Sequence, residues 1–164
     1  MPDNHSKIVR SYNMSRIRSK DTKPEETVRK YLFSRGLRFR KNDKRYPGHP
    51  DIVLPKYKTI VYVHGCFWHC HKGCNDYVIP KSRLEYWIPK LKHNCERDNA
   101  NADELRHNGW NVIIIWECEL KKTIRQERLE ELYNQITVKP YPEGSQYIYT
   151  DKLLKHNTLS FDNR

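Results

Sequence analysis

Residues 59 to 74 read TIVYVHGCFWHCHKGC. The β-branched opening suits a strand, yet it runs straight into three histidines, three cysteines and an adjacent Phe-Trp pair. Cys66, His71 and Cys74 stand in a C-x4-H-x2-C arrangement, so one short loop offers three ligands to a tetrahedral ion. A closed structural site needs a fourth ligand, and that ligand has to come from another part of the fold. This requirement constrains the fold strongly, because a second strand should end at the edge where strand 59–63 ends.

The stretch WNVIIIWECE (110–119) is the best candidate for that second strand. Its near-continuous apolar run predicts burial on both faces, and Cys118 lies just beyond it. Cys70 competes for the fourth position because it is equally close in sequence. Taken one at a time, these cysteines read as small buried side chains; three within nine residues beside histidines favour zinc. Cys95 reads as an ordinary core residue. The N-terminal MPDNHSKIVRSYNM has no apolar signal core, so a cytoplasmic protein is expected. In that setting cysteines favour metal ligation over a disulfide framework.

The 164 residues suit one domain, and a formal net charge of +11 calls for a polyanionic partner, nucleic acid first. No apolar run approaches the roughly 20 residues of a membrane span, and no Walker or dinucleotide-binding glycine pattern is present. TKPEETVRKYLFSRGL (22–37) carries helix signals: Thr22 as cap, Pro24 in the first turn, Glu25 and Glu26 at the positive end of the dipole, Gly36 as stop. RFRK (38–41) reads as a short extended piece and YPGHP (46–50) as a turn. DIVLP (51–55) and TIVYVHG (59–65) then read as a hairpin, with a tight connection between them. Residues 82–109 read as two helices or one bent helix, because Pro89 interrupts them, and 122–136 as a basic amphipathic helix. The order predicts an α/β fold with a mixed sheet flanked by helices. Residues 1–20 are read as an arm that includes a short helix, 21–136 as the main domain, and 137–164 as an extension of unknown role.

His64 and His69 remain once the zinc ligands are assigned. Asp51 opens a β-run, and the following run brings His64 back toward it. A carboxylate at a sheet edge is a hard oxygen ligand suited to Mg²⁺, and Mg²⁺ beside DNA points to phosphoryl chemistry. A histidine there can move protons or hydrogen-bond a phosphate.

The segments HGCFWH (64–69) with His71 and Cys74, PGHPD (47–51) and WECEL (116–120) closely resemble the very-short-patch repair (Vsr-type) DNA mismatch endonucleases. SYNMSRIRSKDT (11–22), Glu25, NCERD (94–98) and LRHNGWNVIIIWE (105–117) extend the match from about residue 11 to about residue 120. The resemblance implies a restriction-endonuclease-like core and nicking of the T-bearing strand at a T:G mismatch, on the 5′ side of that T. It implies catalytic Mg²⁺, two ions, on Asp51 and the carbonyl of Val63, and one structural Zn²⁺ on Cys66, His71, Cys74 and Cys118. His69 is then the proton-transferring residue and His64 its neighbour at the metal or phosphate. Glu25 and Asp98 are supporting acids, Glu25 acting through water and Asp98 directed at a histidine. The sequence departs from the family pattern at Val63, where threonine is commoner, and in a loop one residue longer around Cys70.

The resemblance also assigns the aromatics. Phe67 and Trp68 wedge beside the mismatch, where a G:T wobble stacks poorly and opens at lower cost. Trp87 matches an aromatic near the DNA, and Met14 a residue approaching from the other groove. Arg10, Arg16, Arg18 and Lys20 would hold phosphates in a clamp. Read from residues alone, Phe67 and Trp68 also fit a patch under the zinc loop, and Met14 and Trp87 fit core positions. The expected protein is a monomer acting on mismatched double-stranded DNA near the nucleoid, with mismatch-repair proteins as possible partners. The competing expectation is a zinc-bearing module that binds distorted DNA without cutting it.

Overall fold

The computed structural model of the chain describes residues 6–138. The anticipated C-terminal extension lies outside the described residues from 139 onward, as does the side chain of Arg10. The elements in chain order are α1 (Lys7–Ser15), α2 (Lys23–Ser34), β1 (Arg40–Lys41), β2 (Ile52–Leu54), β3 (Thr59–His64), α3 (Leu84–His107), β4 (Asn111–Trp116) and α4 (Arg125–Thr137). The strands form one sheet in the order β1-β2-β3-β4. The first three run antiparallel to their neighbours, and β4 pairs with β3 in parallel. Helix α3 makes the crossover that a parallel pair requires.

Side-chain alternation along the strands divides the core in two. Val61 and Val63 of β3 face α2 and α4, meeting Val28, Leu32, Leu129 and Leu132. Ile60 and Tyr62 face the other way, toward Leu105 of α3. The result is a mixed sheet between helices, as the sequence pattern predicts.

Thr22 caps α2 as expected, and the cap is reciprocal. The Thr22 hydroxyl accepts from the Glu25 amide at 3.5 Å, and the Glu25 carboxylate accepts from the Asp21 amide at 2.8 Å. The chain leaves this helix through Gly36 at φ +83°, a conformation that favours glycine.

Two expectations need correction, and one open alternative is resolved. β2 and β3, not β4, are the strands buried along their whole length. β4 alternates between buried Ile113 and Ile115 and partly covered Val112 and Ile114. It lies at the sheet margin, and its second face meets a smaller cluster around Leu105. Of the two alternatives for residues 82–109, the structure has the single helix, α3, with Pro89 within its first two turns. There the proline removes the donor for the carbonyl of Glu85, which is solvent-exposed, so the helix continues. Helix α4 starts at Arg125, three residues later than expected, after a turn closed by Ile124 N–H donating to Lys121 C=O.

Candidate active site and metal centre

Parallel pairing of β3 and β4 places His64 opposite Trp116. Both chains therefore leave the sheet at the same edge, one into the loop 65–74 and the other into a short turn, Glu117–Leu120. That shared edge creates the thiol cluster. One ligand atom from each of Cys66, His71, Cys74 and Cys118 lies within 4.8 Å of the others, so the four can hold a metal ion. His71 Nδ1 is 3.5 Å from Cys66 Sγ and 3.4 Å from Cys118 Sγ. Burial lowers the His71 pKa and so favours the neutral imidazole that a metal requires.

The loop is braced from several sides. The His71 ring stacks on Trp116 with centroids 4.0 Å apart and planes 4° apart. The His71 amide donates to the Cys66 carbonyl at 2.9 Å, and Asp76 N–H reaches Cys74 Sγ at 3.4 Å. Lys121 pairs with Asp76 at 2.7 Å and ties the two loops together. Three thiols and one imidazole at mutual contact distance match the donor set of a closed, four-ligand site.

Cys70 is outside this cluster. Its backbone sits at φ +57°, and its thiol turns away to the carbonyl of Leu91 on α3, 3.2 Å distant. It interacts there with Cys95, which raises the Cys70 pKa while Cys70 lowers that of Cys95 to about 6. Cys95 is thus a half-buried member of a second thiol pair and not the plain core residue expected from sequence.

The second cluster opens on a cleft of about 1620 Å³. Asp51 stands just before β2, and its Oδ2 accepts from the amide of Val63 on β3 at 2.7 Å. Burial pushes its carboxyl up to about 6; the Val63 hydrogen bond works against that rise and the nearby Glu25 adds to it. His64 is buried and stacks on His69 with centroids 3.9 Å and planes 7° apart. Burial, then the neighbouring His69, lowers the His64 pKa to about 3, so its ring is neutral. His69 Nδ1 is 2.5 Å from Asp98 Oδ2. Burial raises the Asp98 pKa, but the His69 hydrogen bond, nearby positive charge and the Arg97 hydrogen bond together outweigh it and leave the carboxyl below its ordinary range. That contact orients the ring and leaves His69 Nε2 as its other reactive nitrogen.

Between the clusters, Phe67 and Trp68 turn outward onto Trp87 of α3. The ring centroids are 5.0 Å apart for Phe67–Trp68, 5.4 Å for Phe67–Trp87 and 6.0 Å for Trp68–Trp87. All three rings are only partly buried. Lys90 Nζ stands 5.6 Å from the Trp68 centroid and 5.8 Å from that of Trp87. The arm reaches the same cleft through Ile17 to Asp21. Met14 on α1 is 43% exposed and Ile8 is 81% exposed, so neither is a core residue.

The family profile described as "DNA mismatch endonuclease Vsr" matches residues 2–76. The type II nicking enzyme V.NmeAIP of Neisseria meningitidis is 55% identical over 137 residues, spanning 83% of this chain and 97% of that protein. The DNA mismatch endonuclease Vsr of Escherichia coli is 40% identical, across 80% of this chain and 87% of its own length. The chain belongs to the Vsr family. A third relative, the type II nicking enzyme V.XorIIP of Xanthomonas oryzae, is 48% identical over 73% of this chain and 88% of its own.

In this Vsr-type endonuclease, Asp51, Val63, His64, His69, Glu25 and Asp98 all line one cleft. Arg18 and Lys20 line its rim, whereas Arg16 instead lies over the Tyr12 ring at 5.0 Å. Sequence reading missed Arg29, Asn42, Lys90 and Asn94. Lys90, Asn94 and Asp98 recur every four residues on α3, a spacing that places them on one helix face. Asn94 Nδ2 donates to the Trp68 carbonyl at 3.2 Å and so fixes the aromatic loop to α3. Arg29 is four residues after Glu25 and carries the same signal.

Proposed function

We propose that this Vsr-type endonuclease nicks the strand carrying the T of a T:G mismatch, 5′ to that T. Such a nick initiates very short patch repair of deaminated 5-methylcytosine. The observation that carries the reading is the adjacency of the Asp51/His64/His69/Asp98 cluster to the open Phe67–Trp68–Trp87 rings. A mismatch held by those rings has its backbone beside the histidines. The basic charge of the chain favours the same substrate.

Asp51, with the Val63 carbonyl, would hold catalytic Mg²⁺. A partly buried carboxylate whose pKa is pushed up to about 6 is a group that a divalent cation would relieve. When bound, Mg²⁺ supplies positive charge against the phosphate. His69 carries the proton at Nε2, oriented through Nδ1 by Asp98. His64, neutral and stacked on His69, fixes the ring plane and offers a hydrogen bond to phosphate. Glu25 supports the site from the start of α2. Zn²⁺ suits Cys66, His71, Cys74 and Cys118 by donor type and keeps the loop rigid.

Phe67 and Trp68 enter the stack beside the mismatch, with Trp87 at their base, while Met14 approaches from the opposite groove. Arg16, Arg18 and Lys20 of the arm 1–20 take phosphates, and the enzyme works as a monomer on cytoplasmic DNA. Incubating a T:G duplex with protein and Mg²⁺ tests the reading. Nicking of the T strand that disappears in Asp51→Ala supports it. Binding without nicking identifies the chain as a recognition module instead.

A further inference from the structure

Arg29 is a charged residue that the roles above leave unused. It is 6% exposed, so its guanidinium has exchanged water for protein partners. A buried cation is costly unless several acceptors surround it, and this one has four. Nη1 donates to Asp21 Oδ1 at 2.7 Å. Nη2 reaches the Asp51 carbonyl at 3.0 Å, Glu25 Oε2 at 3.1 Å and Asn42 Oδ1 at 3.2 Å.

These partners come from four different segments. Asp21 is the root of the arm, Glu25 lies in the first turn of α2, Asn42 follows β1, and Asp51 precedes β2. Asp21 and Asn42 both have left-handed backbones, at φ 53° and 47°. Such conformations persist where surrounding bonds determine them. The Asp51 contact is the informative one. Asp51 lies just outside the β2 ladder, and Arg29 holds it by the main chain while its carboxylate is tied to Val63 N–H.

We infer that Arg29 is a positioning residue of the nicking site: it bridges the Asp51 main chain to the Glu25 carboxylate and so sets the geometry in which a divalent cation is received. The inference rests on the reading of Asp51 as a metal-holding group. Charge and position predict opposite results. If Arg29 mattered only as a positive charge, removing it would make the site more negative and strengthen cation binding. If it positions the two carboxylates, removing it weakens cation binding despite the gain in negative charge.

The test compares wild type, Arg29→Met, Arg29→Lys and Asp51→Asn. Mg²⁺ binding is measured by calorimetry on the full chain with an uncleavable phosphorothioate T:G duplex, and nicking kinetics on the cleavable one. In Arg29→Met the expected results are Mg²⁺ affinity at least about fivefold weaker, kcat at least about tenfold lower and KM for DNA within about twofold. Arg29→Lys keeps the charge but lacks the fork that spans the acceptors, so it should recover only part of both losses. Tighter Mg²⁺ binding in Arg29→Met, or a loss confined to KM, overturns the inference. If Arg29→Met does not fold, Arg29→Lys decides, and wild-type Mg²⁺ affinity and kcat in it overturn the inference. Asp51→Asn separates the two levels: full nicking there refutes the reading of Asp51, whereas a dead Asp51→Asn beside an unaffected Arg29→Met refutes the role of Arg29 alone.

Discussion

The eleven residues from His64 to Cys74 supply two clusters of opposite character. Cys66, His71 and Cys74 turn inward and meet Cys118, so each donor faces another donor. His64 and His69 turn toward the cleft, where His69 meets Asp98 and His64 stacks on His69. The thiol cluster is a closed knot that orders the loop. The histidine cluster is held by that order yet keeps a face toward solvent. A few residues of one loop can therefore be rigid and reactive together, provided alternate side chains take different jobs.

The largest test of this contrast is metal removal. Binding of structural zinc contributes on the order of 10 kcal/mol in small zinc-held folds. Stripping the zinc and returning the protein to Mg²⁺ buffer should release one zinc per chain in a colorimetric assay, collapse loop 65–74 and abolish nicking, and Cys66→Ser should lose nicking likewise. Retained nicking after complete release would show that the thiol cluster does not order the histidines. His69→Ala should act on the other cluster alone. Its nicking rate is expected to fall by about 10²–10⁴-fold, with zinc content and melting temperature unchanged. Zinc lost along with the activity would erase the distinction.

The aromatic rings sharpen the comparison from the substrate side. Phe67→Ala with Trp68→Ala should cost about 1–3 kcal/mol per lost stack, seen as weaker binding to T:G duplex while plain duplex binds nearly as before. Equal losses on both duplexes would remove the wedge role.

Asp51 offers a smaller and oppositely signed effect. Its pKa rises on folding from 3.8 to about 6, so its contribution to stability is fully present below about pH 4 and is lost as pH rises through 6. In metal-free buffer at pH 8, Asp51→Asn should therefore be more stable than wild type by about 1–3 kcal/mol, with the advantage gone at pH 4. Denaturant melts at the two pH values measure this, and a gain at pH 4 equal to that at pH 8 contradicts it. Cys70→Ser is expected to do least: zinc stoichiometry stays at one, because Cys70 faces Leu91 and Cys95.

Much of this was legible in the sequence for physical reasons. The meeting of Cys118 with the 66–74 loop follows from two strands ending at one edge, and the α2 cap follows from Thr22 and Glu25. The hairpin that brings Asp51 under Val63 follows from two β-runs with a short connection. The burial of β4 was misjudged, since apolar composition does not reveal which strand lies at the margin. Pro89 leaves one helix and two helices both open in the sequence, and its place near the helix start, where a proline removes few bonds, decides for one. Cys70 could not be assigned from spacing, as its left-handed backbone decides the direction of its thiol. Arg29 escaped notice because its four partners are spread over 31 positions of chain, from Asp21 to Asp51.

The register of β3 against β4 has a consequence for how activity arises in a newly made chain. His64 opposite Trp116 sets both the donor meeting at Cys118 and the placement of the cleft histidines. A slip by one residue would send alternate side chains to the wrong face and undo both clusters together. Both clusters thus depend on one pairing, between a strand from the middle third of the described chain and a strand from its last third. A chain in which β3 and β4 have not paired therefore lacks the thiol cluster and the ordered histidines alike.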